Sequence, residues 1–453
     1  MNRFAIVLAA GKGTRMRSAH PKVVHRILGK AMIARVLEAI QDANIDKQLV
    51  VIGHGSEEVS ACLSENARTV IQTEQLGTGH AVLTALSALD DETLAEETNV
   101  LVTCGDTPLI RAESLRDMIS IHESEGCTVT VMTTHLTHPT GYGRIIRNGN
   151  AIACIVEEKD ADNDQKKITE INVGTYCFNL GFLRDEIAHL TTDNAQGEFY
   201  LTDLLSRAYK NGKKTAAYIL KDPGESLGVN NRVQLAEAIS ILRRRRNEYW
   251  MMNGVTMEDP DSVIIEDDVT LGRDIYIERD VRLMGKTVIE DNVVLESGTR
   301  ITDSIIKNGA AIKQSVVKES IIGAESTVGP FAQLRPGSIL EEHVKVGDFV
   351  EIKNSHVESE TKISHHTYIG DADIGKRVNI GCGTITCNFD GTNKFRTVIG
   401  DDAFIGSNTC LIAPITIGAK TLIGAGSTLS KDVEDHALAL NRAKLIVKEN
   451  WRK

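Results

Sequence analysis

The stretch SVIIEDDVTLGRDIYIERDVRLMGKTVIEDNVVLESGTRI, residues 262–301, places an aliphatic residue at every sixth position: Ile265, Leu271, Ile277, Leu283, Ile289, Leu295 and Ile301. The series runs on in steps of five or six through Ile306, Ile312, Val317, Ile322, Val328, Leu334, Leu340, Val346, Ile352, Val357, Ile363, Ile369, Ile374 and Ile380. After a break it resumes at Ile399, Ile405, Leu411, Ile417, Ile423 and Leu429. A hexapeptide period is the signature of a parallel β-helix, in which three hexads, about eighteen residues, close one triangular coil. Each aliphatic side chain then points into a narrow core. Glycine follows many of them (272, 323, 329, 347, 370, 375, 381, 400, 406, 418 and 424), which suits tight corners.

Upstream the texture is different. Residues 1–230 alternate apolar strands (4–10, 48–53, 99–104) with helical patterns (31–43, 79–89, 113–124). That alternation predicts an α/β domain with a mostly parallel sheet, and its ligands belong beyond the carboxyl ends of the strands. Gly11 and Asp106 both fall there. The first strand runs into VLAAGKGTRM (7–16), a glycine-rich turn that can bring backbone N–H groups to a phosphate. It has neither the spacing of a P-loop nor that of a dinucleotide fingerprint. Between the halves, VQLAEAISILRRRRNEYW (233–250) reads as a connecting helix, its Arg243–Arg246 tract as a solvated face.

The chain has 453 residues, enough for two or three domains, and is 42% hydrophobic but only 4% aromatic, with 37 glycines. A net charge of −11 argues against a general nucleic-acid or membrane-surface binder, so any phosphate must meet local positive charge. The eight cysteines form no C-x-x-C pair, which suits a reducing cytosol. No signal peptide or transmembrane segment is expected, and the cytoplasm is the expected location.

Stacked coils let sequence predict neighbours, because adjacent coils lie roughly 4.8 Å apart. Three hexads separate Leu334 from Ile352, so Arg335 and Lys353 are expected one above the other. Two stacked cations repel unless a phosphate lies between them or a carboxylate offsets them. The same count stacks His365 under Cys382, and beyond the break Ser407 and Ala425 join that column. His366 is expected on the opposite side of its strand. The break, CNFDGTNKFR (387–396), is an insertion at a corner, and such loops usually carry function. His343 and His356 fall in other columns, so no histidine metal site is expected in the coils.

LAAGKGTRM with Pro21-Lys22, QLGTGHA (75–81), CGDTPL (104–109), GYGRI (141–145), EEKDA (157–161), EINVG (170–174), GEFYLTD (197–203) and GVNNR (228–232) resemble sugar-phosphate nucleotidyltransferases. With PFAQLRPG (330–337), SHHTYIGDADIG (364–375) and NIGCGTITCNFDG (379–391) behind them, the chain resembles the bacterial bifunctional glucosamine-1-phosphate acetyltransferase/N-acetylglucosamine-1-phosphate uridylyltransferase family. The resemblance spans nearly the whole chain. It implies a Rossmann-like uridylyltransferase domain over 1–229, a linker helix over 230–251 and a left-handed β-helix acetyltransferase domain with a tail over 252–453. It also implies a homotrimer, with small-molecule substrates and no nucleic acid.

For the first domain the resemblance implies that Leu8, Ala9, Ala10 and Gly11 approach UTP, and that Arg15 and Lys22 meet phosphates. Gln72, Gly77 and Thr78 would contact the uracil nucleotide, Cys104 and Gly105 would line the same site, and Gly143, Glu157 and Asn172 would hold the sugar. Asp106 and Asn230 would bind Mg²⁺. Without the resemblance, Glu157 reads as a surface charge. For the second domain it implies that Arg335, Lys353, Tyr368 and Asn379 hold the sugar phosphate and that His365 is the general base. Cys382, Asn388, Phe389, Ser407, Ala425 and Arg442 would form the acetyl-CoA groove. Cys104 and Phe389 stand where tyrosine is common in the family. A single-activity sugar nucleotidyltransferase with a structural or regulatory β-helix, as in ADP-glucose pyrophosphorylases, is the alternative. Regulatory subunits of guanine-nucleotide exchange factors share the two-domain plan, but here Gly11, Arg15, Lys22, Asp106 and Asn230 are all present.

Overall fold

The structure, a computed structural model, describes residues 2–64, 67–89, 95–149 and 151–452. Met1 and Lys453, the outer limits of the expected domains, lie outside the described residues. The chain divides into two compact units, Met1–Leu242 and Arg243–Lys453.

The first unit is built on a mixed sheet ordered Thr215–Ile219, Val129–His135, Glu170–Asn179, Asn99–Cys104, Arg3–Leu8, Gln48–Ile52, Arg68–Ile71. The strand Glu170–Asn179 is antiparallel to both neighbours; the other pairs on this path are parallel. Arg3–Leu8 is buried at Ala5, Ile6 and Val7, as a strand covered on both faces must be. It pairs with Gln48–Ile52 on one side and Asn99–Cys104 on the other, with Leu8 opposite Cys104. The chain order therefore reverses beside this strand, and a crevice opens beyond its carboxyl end. Apolar helices such as Met32–Asp42 cover the sheet, burying Ile33, Val36, Leu37 and Ile40.

The helix read at 233–250 spans Arg232–Met252, and the boundary between the units falls inside it. Its basic tract is not a purely solvated face. Arg244 pairs with Glu248 at 2.9 Å and Asp261 at 3.2 Å, and Arg246 with Asp267 at 3.1 Å. Carboxylates of the first coil neutralise these two arginines.

In the second unit every aliphatic residue of the hexad series from Ile265 to Ile423 is buried, and Leu429 is half-buried at the end of the stack. Coils pair in parallel register on three faces. One face runs Thr327, Lys345, Lys362, Asn379, Phe404, Leu422. The next runs Gln333, Glu351, Tyr368, Ile385, Cys410, and the third Ile339, His356, Asp373, Val398, Thr416.

The glycines that follow the inward aliphatics correct the corner reading. Apart from Gly329, none of them has positive φ; the left-handed corners are taken by residues such as Asp280, Asn292, Phe349 and His366. These glycines serve close approach between coils instead. A Cβ on Gly323 would lie 2.2 Å from the carbonyl carbon and oxygen of Glu341, and one on Gly347 would lie 1.9 Å from the Ser364 carbonyl oxygen. Because these contacts are backbone, no side chain can move aside. Gly323→Ala should therefore cost on the order of 1–3 kcal/mol or more. Urea unfolding of the variant is the measurement; an unchanged midpoint would mean that the coils spread freely.

Candidate active sites

The first site lies beyond the carboxyl ends of Arg3–Leu8 and Asn99–Cys104. A cavity of about 320 Å³ is lined by Leu8, Ala9, Ala10, Gly11, Lys22, Gln72, Gln75, Gly77, Thr78, Cys104, Asp106 and Glu198 among others. The turn is held from below, since the Gln75 side chain donates to the Ala10 carbonyl at 2.8 Å and the Gly105 N–H to the Leu8 carbonyl at 2.9 Å. Gly13 has φ +58°, and a Cβ there would lie 2.7 Å from the Lys22 Cβ, so only glycine brings the turn this close to the lysine. Gly11 has no neighbour within 4 Å of its would-be Cβ and faces open space.

Cations and oxygen donors converge at this crevice. The Lys22 ammonium contacts the Asp106 carboxylate and donates to the Asn230 Oδ1 at 3.1 Å. Arg15 donates to the same oxygen at 2.9 Å. Four of the residues expected at the phosphates and the metal are thus linked in one chain of contacts, Arg15–Asn230–Lys22–Asp106. Burial, reinforced by Asp106, pushes the Cys104 thiol up to about 12, so the group is neutral at pH 7.

The expected sugar contacts form their own cluster. The Asn172 N–H donates to the Gly143 carbonyl at 2.9 Å, and the Glu157 carboxylate lies 3.4 Å from where a Gly143 Cβ would stand. Glu157 is not the surface charge that its local sequence suggests. Burial raises its carboxyl pKa, as do Asp160, Asp203 and Glu198, against a hydrogen bond from Thr202.

The second site surrounds one corner of the β-helix. Ile363 pairs with Ile380, Ile380 with Ile405 and Ile405 with Ile423, so His365, Cys382, Ser407 and Ala425 occupy equivalent places in successive coils, as the hexad count predicts. The column extends one coil further back, where Asp348 pairs with His365 in register and its Oδ1 lies 3.1 Å from the His365 Nδ1. Asp348 was missed, although the count from Val346 to Ile363 leads to it. His366 departs from the expectation. It sits in the corner with φ +35°, and both histidines are exposed, so strand alternation does not separate them.

Arg335 and Lys353 do stack, following the Leu334–Ile352 pair. The Arg335 charge is offset by Glu351 at 2.8 Å. Lys353 instead meets a second ammonium, that of Lys394 in the insertion, which with desolvation lowers its pKa. Nearby, buried Asp371 accepts from Asn354 and from Asn388, each at 2.5 Å. Burial opposes its ionisation, but these amides and the two lysines outweigh it and hold the carboxyl below the usual range. The insertion folds back on itself through a Phe389–Lys394 bridge, with Phe389 exposed. Tyr368 lies on the face after the corner and Asn379 on the face before it. Arg442 donates to the Ala425 carbonyl at 2.9 Å.

A Rossmann-like sheet with a cation-lined crevice, followed by a hexapeptide β-helix, defines a nucleotidyltransferase joined to a hexapeptide transferase. Residues 5–170 match the MobA-like NTP transferase domain family, 260–359 the GMPPB C-terminal domain and 396–431 the bacterial transferase hexapeptide (six repeats). The bifunctional protein GlmU of Halalkalibacterium halodurans is 46% identical over 99% of this chain and 98% of its own length. That of Streptococcus equi subsp. zooepidemicus is 47% identical over 100% and 98%. The chain belongs to the family of bifunctional GlmU proteins. It is a bifunctional enzyme of UDP-N-acetylglucosamine synthesis, a uridylyltransferase and a glucosamine-1-phosphate N-acetyltransferase.

The raised carboxyl of Glu157 has a consequence for stability. A carboxyl whose pKa rises on folding penalises the folded state while ionised, and the penalty is relieved as pH falls through the folded pKa. Glu157→Gln should therefore raise the urea midpoint at pH 7, and its gain over the wild type should shrink on acidification. A midpoint at pH 7 equal to or below that of the wild type would count against this reading.

Proposed function

We propose that the crevice in residues 1–229 carries uridylyl transfer and that the β-helix corner in residues 252–453 carries acetyl transfer, with 230–251 as linker. The observation that carries the first assignment is the convergence of Arg15, Lys22, Asp106 and Asn230 at the strand ends. In-line attack by N-acetylglucosamine-1-phosphate on the α-phosphorus of UTP brings two anions together, so the catalyst must neutralise and align them. Arg15 and Lys22 supply the charge, and the turn at Leu8–Gly11 carries the nucleotide. Gln72, Gly77 and Thr78 take the uracil end, Cys104 and Gly105 belong to the same site, and Gly143, Glu157 and Asn172 hold the sugar. Asp106 and Asn230 already present oxygen donors to one cationic group, the Lys22 ammonium, and that hard donor pair fits Mg²⁺. When bound there, the ion would neutralise phosphate charge.

In the second reaction the amine of glucosamine-1-phosphate attacks the thioester carbonyl of acetyl-CoA. The C–N bond forms, the C–S bond breaks and the amine loses a proton. His365 takes that proton. Asp348 engages Nδ1, leaving Nε2 free as the base. Arg335, Lys353, Tyr368 and Asn379 bind the sugar phosphate. Cys382, Asn388, Phe389, Ser407, Ala425 and Arg442 line the acetyl-CoA groove. Eight free thiols agree with a cytoplasmic setting, and no described helix is long and apolar enough to cross a membrane.

Because the two sites rest on different residues, single substitutions should separate them. Asp106→Ala should abolish UTP-dependent pyrophosphate release and leave acetyl transfer intact. His365→Ala should cut acetyl transfer by about 10²–10⁴-fold and spare uridylyl transfer. His366→Ala should cost less than His365→Ala. Loss of both activities in either of the first two variants would refute the assignment.

We also infer a homotrimer. The tail past Arg442 leaves Leu445, Ile446, Val447 and Trp451 exposed, and Phe331 and Phe349 stack in the open at 5.3 Å between ring centroids. Apolar groups displayed this way are covered when copies associate. Light scattering should return about three times the chain mass of 49.4 kDa, and a single-chain mass with full acetyl transfer would refute the inference.

A further inference from the structure

Gln72 is 4% exposed, lines the nucleotide crevice and is fixed by two contacts of its amide nitrogen. That nitrogen lies 2.9 Å from the His80 Nδ1 and 3.4 Å from the Gly77 carbonyl oxygen. A carbonyl only accepts, so the amide is assigned with its nitrogen towards Gly77. With the nitrogen donating to both, His80 must accept at Nδ1, which requires the neutral tautomer protonated at Nε2. The amide then has one group left for a ligand, its carbonyl oxygen. His80 sits in the first turn of the helix Thr78–Ser87 and is not among the residues lining the cavity.

We propose that His80 is a positioning residue for base selection: by holding the Gln72 amide, it turns Gln72 into an acceptor only, which matches the N3–H of uracil and opposes the bare N3 lone pair of cytosine. The proposal rests on the reading of this crevice as the uridylyl-transfer site. It assigns specificity to a group behind the pocket wall. Without the His80 acceptor only the longer Gly77 contact, at 3.4 Å, opposes rotation of the amide, and once turned its NH₂ meets the ring nitrogen of cytosine in place of its oxygen meeting that of uracil. A buried amide left mispaired with uracil loses affinity as well as selectivity.

Two variants of the full chain test this. His80→Leu removes the acceptor at similar bulk. His80→Asn keeps an acceptor, because the Asn Oδ1 falls near the place of Nδ1. Pyrophosphate release is followed with UTP and with CTP, each with N-acetylglucosamine-1-phosphate, and acetyl transfer serves as the folding control. In His80→Leu, kcat/KM for UTP should fall by about 10–100-fold and the UTP-to-CTP preference by about tenfold or more. In His80→Asn the preference should stay within about threefold of the wild type. An undiminished preference in His80→Leu, even with a lower rate, overturns the proposal, since a merely structural role lowers both substrates together. So does an equal loss of preference in both variants. A wild type that releases no pyrophosphate from UTP overturns instead the site reading beneath it.

Discussion

The second unit depends on one constraint: each hexad must turn its aliphatic side chain inward at the same height as the hexads above and below. Burying one Ile, Leu or Val is worth about 1.5–3 kcal/mol, and a slip of one residue in a strand turns the whole set outward. The coil register is therefore strongly specified, and everything on the outer surface inherits it. That is why Asp348, His365, Cys382, Ser407 and Ala425 form a column although 77 positions separate the first from the last. No side-chain contact among the later members is needed to place them. The glycines belong to the same constraint, because coils this close leave no room for a Cβ over the neighbouring backbone.

In the first unit the corresponding constraint is charge. A chain of net charge −11 that handles phosphates must gather cations locally and hold them without a ligand. It does so by giving them internal partners: Lys22 rests on Asp106 and Asn230, and Arg15 on Asn230. The second unit follows the same plan, with Arg335 on Glu351 and the Lys353–Lys394 pair near Asp371. The sequence reading left open whether a phosphate or a carboxylate separates the stacked cations. A carboxylate answers for Arg335, while Lys353 is repelled by Lys394 and attracted by Asp371, with its pKa lowered on balance.

How much could be read from the chain alone follows from how each feature is encoded. Hexads, strand ends and the stacking of His365 under Cys382 are periodic, so counting reaches them. Asp348 was within reach of the same count. Lys394 was not, because it lies in the insertion, where the period is broken and a residue's neighbours depend on how the loop folds back. The enclosure of Glu157 was hidden for a similar reason: it arises from Thr202, Asp203 and Glu198, which lie some forty residues away in sequence. The corner glycines were misread because glycine has two uses, positive φ and close approach, and composition alone does not tell them apart.

The resemblance implies two departures from the family pattern, at Cys104 and Phe389, where it would set a tyrosine. Cys104 stands at a strand end where tyrosine is common, and burial beside Asp106 keeps its thiol protonated near neutral pH. It therefore adds no negative charge to the crevice. Phe389 replaces a phenol with a bare ring, exposed on the insertion while its neighbour Asn388 is buried against Asp371. The Phe389 ring contributes only apolar surface, so polar contacts from this segment fall to its other residues, Lys394 among them. A phenol, a thiol of raised pKa and a benzyl ring are all uncharged near pH 7, so both exchanges leave the local charge as it was. The charge each anionic substrate meets is then set by the lysines, arginines and carboxylates alone.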